Sequence, residues 1–412
     1  MKQSSRTTFA LFALATTFFG IGITEFIGVG VLPEIADEFQ VSTSTAGLIV
    51  SLYALGVAIG GVILTALTSR QSRKKVLLAS ILLFIVGHIF TAMAPTFGTL
   101  LLARVASAAA HGLFFSLASA VAVSIVPENK AASAVAFIFS GFTVATAFAA
   151  PLGTYISNLS GWRVPFIGIA IVGIFALLMN YFAIPSQVKT SAVPPSAKDQ
   201  IKLITTPHVL LMMLVTILGY GSTFAAFTYL SPILTEITGI EVSKVSAVLV
   251  LYGITVAIGN TVGGRIGNAG QLRSLFYIFI VQAIILVGVY FAAPYTIPAL
   301  IAIALMGIMA FMSIPSLQSY MLLLAKRHVP SAMDLASSLN IASFNGGITV
   351  GATLGGLVID NFGLAYTPLV AAGMAASAVL LTVVSSKMDS RERQAATTPS
   401  KPESRLLMEQ AE

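Results

Sequence analysis

Apolar runs of 18 to 25 residues, parted by short polar stretches, recur along the whole chain. Runs of that length predict membrane-spanning helices, because a helix satisfies its own backbone hydrogen bonds in hydrocarbon and about 20 residues cross it. The ten-residue alternation of a transmembrane β-barrel is absent. Twelve helices are predicted, starting near Phe9, Ala46, Val76, Leu100, Ala131, Val164, His208, Ser246, Leu275, Ile297, Met333 and Thr367. The longest polar interruption, Pro185 to Pro207, holds Pro194-Pro195 with Lys189, Lys198 and Lys202. The expected organisation is a six-helix half over 1–184, a cytoplasmic linker over 185–207 and a second six-helix half over 208–386. A polar cytoplasmic tail over 387–412 is expected to be disordered.

The halves resemble each other. Leu52-Tyr53-Ala54-Leu55-Gly56-Val57-Ala58-Ile59-Gly60 matches Leu251-Tyr252-Gly253-Ile254-Thr255-Val256-Ala257-Ile258-Gly259 at an offset of 199, and Pro33 and Pro232 share that offset. Leu152-Gly153 and Gly161 match Leu354-Gly355 and Gly363 at an offset of 202. Six helices per half make equivalent helices run the same way, a parallel repeat about the membrane normal. The predicted fold is therefore an all-α membrane protein of two pseudo-symmetric six-helix halves. Small residues also repeat: Gly141, Ala145, Ala149 and Gly153 in the fifth helix match Ser343, Gly347, Gly351 and Gly355 in the eleventh. Such stripes let backbones approach closely in lipid, as static packing or as a sliding interface, and both readings stay open.

Composition agrees: of 412 residues, 57% are hydrophobic and 9% charged, against about a quarter charged in soluble domains. With no cysteine, disulfides, thiolate metal sites and cysteine nucleophiles are excluded. The net charge of +7 sits in short loops, so topology explains it and no nucleic-acid partner is expected. A cytoplasmic N-terminus splits the 22 Lys and Arg residues into 19 cytoplasmic, two external (Arg163 and Lys244) and one intramembrane (Arg104), as the positive-inside rule requires. Both termini are then cytoplasmic, in a bacterial-type inner membrane. Lys2 and Arg6 before an apolar run imitate a signal peptide, but the run is long, holds Glu25 and is one of many, so it reads as a first span.

Phosphate-loop, H-E-x-x-H and paired-carboxylate motifs are absent, and the four histidines are dispersed in the sequence. No enzyme, cofactor or metal site is predicted; energy for transport would come from an ion gradient. The intramembrane polar residues carry the rest. Glu25, within Gly20-Ile21-Gly22-Ile23-Thr24-Glu25-Phe26-Ile27-Gly28, is one of two charged residues in the apolar runs. A charge there costs roughly 2.5–3.5 kcal/mol on insertion scales. At about 1.5 Å per residue, Glu25 lies roughly 7 Å outside the midplane, Arg104 roughly 12 Å outside and His111 near the middle. Glu25, Arg104 and His111 are the predicted proton-coupling set; a structural Glu25–Arg104 ion pair is the alternative. His88 reads as an interhelical contact.

Glu25 maps to Phe224 and Arg104 to Ile303 at the 199 offset, so one half is expected to handle the proton. The other offers neutral groups, Tyr220, Tyr229, Asn260, Gln282, Gln318, Asn340 and Asn345. Thr17, Tyr229, Asn260, Gln318, Asn340 and Asn345 are the substrate candidates.

These residues resemble the major facilitator superfamily, and within it the bacterial drug:proton antiporters of the arabinose/sugar-efflux and chloramphenicol-efflux-like branch. Thr24-Glu25-Phe26 with Gly30-Val31-Leu32-Pro33, Tyr53-Ala54-Leu55-Gly56, and Arg104 followed by His111-Gly112 carry the resemblance. So do Pro151-Leu152-Gly153-Thr154 with Gly161-Trp162-Arg163, and Gly259-Asn260 with Gly264-Arg265. The family's G-x-x-x-D-R-x-G-R-[RK] loop keeps Arg70, Arg73 and Lys74, but Ser69 replaces its Asp and both glycines are lost. The fourth-helix motif keeps Arg104 but has Ser107-Ala108 in place of Gln-Gly. The fifth-helix motif keeps Gly141, Pro151 and Gly153, with Ala150 in place of Gly. The resemblance implies gating roles for these loop and fifth-helix residues, and export by alternating access.

The expected function is proton-coupled export of a small molecule (sugar, nucleoside or drug) by a monomer whose partners are substrate, protons and the bilayer. Proton-coupled uptake of a sugar or nucleoside stays open, as does a non-transporting membrane receptor. A channel fits least, because no ring of equivalent polar residues exists.

Overall fold

The computed structural model describes residues 3–68, 71–127, 131–185, 196–267 and 270–397. Among them, twelve apolar helices are long enough to cross a membrane when one bent pair is taken as a single span. The first half holds α1 (Gln3–Gly30), α2 (Leu48–Thr68), α3 (Arg73–Ala92), α4 (Phe97–Ser124), α5 (Ala131–Ser160) and α6 (Arg163–Ala183). The second holds α7 (Pro207–Phe227), α8 (Val242–Gly267), α9 (Gln271–Ala292), α10 (Thr296–His328), α11 (Met333–Phe362) and α12 (Thr367–Thr397). The even number of spans puts Gln3 and Thr397 on one side, here the terminal side; the opposite side is the outer side.

Several helix starts coincide with a residue that caps or opens a helix. Ser72 caps α3, Thr96 caps α4 in a reciprocal box with Thr99, and Pro207 opens α7 where its missing N–H costs nothing. α5 bends by 45° between Thr146 and Phe148. The cause is Pro151, which has no N–H for the carbonyl four residues earlier.

Packing repeats between the halves. α1 lies against α5 and α6 as α7 lies against α11 and α12; α4 lies against α2 and α3 as α10 lies against α8 and α9. The halves meet through α2–α11 and α5–α8, pairs that a two-fold axis along the membrane normal exchanges. Leu102, Phe175, Phe182, Ile284, Phe291 and Leu380 are exposed on the periphery, as lipid-facing residues are.

The small-residue stripes do not face the other half. A Cβ at Gly141 would run into the Ala15 carbonyl of α1, and one at Gly351 into the Gly221 carbonyl of α7. The stripes therefore seat α1 on α5 and α7 on α11 within each half.

Two segments outside the apolar runs are helical. The linker contains a helix, Ala197–Thr205, started by Ser196, whose hydroxyl accepts from the Asp199 N–H at 3.1 Å. Of the tail expected to be disordered from 387, the part up to Thr397 continues α12 as helix, and 398–412 lie outside the described residues. An Arg327–Asp389 ion pair and Glu392, facing His208 and His328, hold this extension to the ends of α7 and α10. On the outer side, Glu38 accepts from Trp162 Nε1 at 2.6 Å and from Arg163 Nη1 at 2.5 Å, clasping the α1–α2 connection to the start of α6.

Gly351→Val is expected to lower the thermal stability of the purified protein by about 1–3 kcal/mol, through a clash with backbone. Gly288→Val, where nothing lies within 4 Å, should leave it unchanged. The Arg163 hydrogen bond, opposed by partial burial and aided by Trp162, holds the Glu38 carboxyl below its ordinary value. Its contribution is thus complete above the ordinary glutamate range and lost as pH falls through the lowered value. Melting curves of Glu38→Gln and the parent should differ at neutral pH and converge under acid.

Candidate functional site

Glu25 sits on α1 where both neighbouring elements and the other half come close, and it is 8% exposed. Beside it, Thr24 ties three helices together. Its hydroxyl donates to His88 Nε2 of α3, because His88 Nδ1 already donates to the Phe84 carbonyl at 2.7 Å. Its carbonyl accepts from Arg104 Nη2 of α4 at 3.2 Å.

Arg104 is 1% exposed. Its guanidinium lies 4.0 Å from the centre of the Tyr53 ring of α2 and 5.6 Å from that of Phe166 of α6. Ring faces are electron-rich, so this stacking compensates part of the lost hydration. Among the described residues its Nε and Nη1 meet no acceptor. Glu25 lies within its electrostatic reach, and no ion pair within 4.0 Å joins the two among the described residues. Tyr53 carries the chain onward: its hydroxyl shares a 3.1 Å hydrogen bond with His111 Nδ1.

Glu25 also acts electrostatically on Tyr220 of the second half. Next to it, Phe26 lies 6.0 to 6.4 Å from the rings of Phe142, Phe224, Phe227 and Phe311. Tyr220 contacts Phe224, Phe311 and Phe344. The acid therefore borders an aromatic cluster drawn from both halves, and Phe224, its repeat equivalent, is one member. At the same offset, the equivalents of Arg104 and His111 are Ile303 and Ala310.

The remaining residues singled out from the sequence scatter. Thr17 accepts from Asn180 of α6 at 3.0 Å and donates to the Ala13 carbonyl. Gln318 and Asn340 bond each other at 2.6 Å, joining α10 to α11, with Thr216 of α7 donating to Asn340 at 3.2 Å. Asn345 donates to the Ile341 carbonyl one turn back, while its buried Oδ1 has no partner among the described residues. Asn260 is half-buried on α8. Lys74 donates to the Tyr181 and Ile184 carbonyls at 2.7 and 2.6 Å, closing the C-terminus of α6. Arg73 is the first residue of α3, Gly153 packs on Ile27, and Arg70 lies outside the described residues.

Tyr229 belongs to the outer closure. Its hydroxyl donates to the Ala352 carbonyl of α11 at 2.8 Å, and a Cβ at Gly47, ahead of α2, would strike its ring. Around it, Ser44 bonds Asp360, Ser231 donates to the Val29 carbonyl at 3.1 Å, and Thr349 donates to the Ser51 carbonyl at 3.2 Å. Asn158 donates to the Val242 carbonyl at 3.2 Å. Apart from Tyr229–Ala352, which lies within the second half, these bonds cross between halves near the outer side. A pocket of about 250 Å³ lies among them, lined by Gly30, Glu34, Asp37, Ser231 and Glu236.

Tyr53, Thr24 and the Ser44–Asp360 pair were missed as site residues. Tyr53 did leave a signal, since it recurs as Tyr252 inside the repeated motif, and Thr24 recurs as Thr223.

Two repeated bundles joined on the outer side, one of them holding a buried charged cluster, are the architecture of a membrane transporter rather than an enzyme. The chain belongs to the major facilitator superfamily: the family's model, Major Facilitator Superfamily, matches residues 12–340. It is 49% identical to the uncharacterized MFS-type transporter YtbD of Bacillus subtilis strain 168, over 94% of this chain and 98% of that one. It is 36% identical to the inner membrane transport protein YdhP of Escherichia coli K12, over 92% and 96%. It is 30% identical to a chloramphenicol resistance protein of Streptomyces lividans, over 90% and 94%. The fold matches that of a point mutant of the nucleoside transporter NupG with a TM-score of 0.74 at 13% identity, over 92% of this chain and 99% of that one.

Gly47→Leu should displace the Tyr229 ring and part the outer ends. The chain has no cysteine, so spin labels on Asn158→Cys and Ser243→Cys, both exposed, report the separation. A longer distance is expected with Gly47→Leu than without it; an unchanged distribution would mean that this contact does not hold the halves together.

Proposed function

We propose that this transporter exports a small molecule in exchange for protons, by alternating access, from the cytoplasm across a bacterial inner membrane. The observation that carries this reading is the chain Glu25, Arg104, Tyr53, His111, confined to one half and bordering the other through Tyr220. A membrane carboxyl beside Phe26, whose ring packs near Phe224, Phe227 and Phe311 of the other half, can report to both access states.

With the outer side closed, deprotonated Glu25 takes substrate from the terminal side, where Arg73, Lys74, Lys75, Arg265, Arg273, Lys326 and Arg327 cluster and which we take as cytoplasmic. Opening of the outer side lets a proton reach Glu25, releasing substrate and permitting return. Arg104 keeps the carboxylate within a positive field without clamping it, and the Tyr53–His111 bond can reverse its donor when the imidazole takes a proton. The aromatic cluster offers flat apolar surfaces to a substrate, with Asn260 and the free Oδ1 of Asn345 as polar contacts. Export rather than uptake follows the names of relatives such as the chloramphenicol resistance protein. A sugar, a nucleoside and chloramphenicol are therefore the first probes.

In proteoliposomes containing a pH-sensitive dye, a binding probe should move protons against its own flow, and Glu25→Gln should abolish that coupling while leaving the melting curve of the protein intact. Undiminished coupling in Glu25→Gln would sink the proton assignment. Proton and probe moving together would mean uptake, and binding with no movement would mean a receptor.

A further inference from the structure

Two of the four dispersed histidines converge. His208 is the second residue of α7, His328 the last of α10, and Glu392 lies near the end of α12, at the limit of its apolar span. The histidine rings stack with centroids 5.2 Å apart and planes inclined by 30°. His208 Nε2 lies 3.5 Å from one Glu392 oxygen, and His328 Nε2 lies 3.8 Å from the other. One donor atom from each residue falls within 4.8 Å of the other two. Both Nε2 atoms and Glu392 Oε2 are buried with no hydrogen-bond partner among the described residues.

Those spacings are long for hydrogen bonds and close to those of metal ligands. Bonds of about 2.0–2.1 Å to a tetrahedral ion set neighbouring donor atoms roughly 3.3 Å apart. The three donor atoms lie within 4.8 Å of one another, so drawing them onto one ion takes a contraction of up to about 1.5 Å, and the stacked rings already aim both Nε2 atoms at the same carboxylate. Two imidazoles and one carboxylate suit a borderline divalent ion, Zn²⁺ above Mg²⁺ or Ca²⁺, which prefer oxygen. The adjacent Arg327 is paired with Asp389, so its charge is countered beside the incoming cation.

We propose that His208, His328 and Glu392 form a Zn²⁺-class metal site, with water completing the shell, that staples the terminal-side ends of α7, α10 and α12. The site lies within the second half, apart from the Glu25 cluster, and so does not depend on the transport assignment. Its consequence is mechanical: a bound ion would stiffen one half as a rigid body.

The test uses the full-length protein without an affinity tag, in detergent. Calorimetric titration should give one Zn²⁺ per chain, Zn²⁺ should raise the melting temperature, and Co²⁺ should give the strong visible absorption of a four-coordinate ion. His328→Gln, His208→Gln and Glu392→Gln should each weaken Zn²⁺ binding by more than the roughly 10–100-fold typical of losing a second-shell partner. Absence of saturable binding, or unchanged affinity in all three variants, would overturn the site. So would a metal-free ion-pair clasp, seen as lower stability in Glu392→Gln with no Zn²⁺ response in the parent.

Discussion

A guanidinium that cannot reach water governs the first half of this molecule. Arg104 must find compensation inside the bundle, and it draws on three other helices at once: the Thr24 carbonyl of α1, the Tyr53 ring of α2 and the Phe166 ring of α6. Leaving a charge unsatisfied in this environment is costly, so the helices around it are constrained in rotation as well as position. Glu25 is presented toward the other half by the same geometry, because the residue before it is held twice, by Arg104 and by His88.

Symmetry and asymmetry occupy different layers of the structure. The backbone layer is duplicated: equivalent helices pack in equivalent pairs, and small residues at matched positions permit the close approaches. The polar layer is not. Thr223, the counterpart of Thr24, accepts from Gln282 at 2.9 Å, whereas Thr24 donates to a histidine, and Phe224, Ile303 and Ala310 stand where Glu25, Arg104 and His111 would be. Tyr252, the counterpart of Tyr53, stacks on Phe227 at 4.6 Å instead of under a cation. A duplicated frame thus holds one ionisable cluster and one aromatic surface facing each other.

The contacts between halves are of a different kind from those within them. Within a half, glycine and alanine bring backbones together along whole helices. Across the outer side, single side chains such as Ser44, Ser231 and Thr349 bond the opposite half at separate points. Isolated hydrogen bonds contribute about 0.5–1.5 kcal/mol each, and water can replace each of them when the outer side opens. Stripes of matched small residues admit no such exchange, and they lie inside each half.

Hydropathy was enough for the twelve spans, the two halves and their duplication, because hydrocarbon imposes one length and one secondary structure on every crossing segment. The exceptional burial of Glu25, Arg104 and His111 was legible for the same reason: a polar group in an apolar run is an energetic anomaly wherever it falls. What periodicity could not supply was which side chains meet, since that depends on helix rotation and pairing between segments far apart in the chain. Arg104 reaches the Thr24 carbonyl rather than forming an ion pair with Glu25; Tyr53 links it to His111; Tyr229 closes the outer side. His208, His328 and Glu392 are separated by up to 184 positions, and only the packing of three helix ends brings their donor atoms within 4.8 Å of one another. Composition records what lipid demands of each helix by itself, whereas contacts among helices follow from the joint solution of all their buried surfaces.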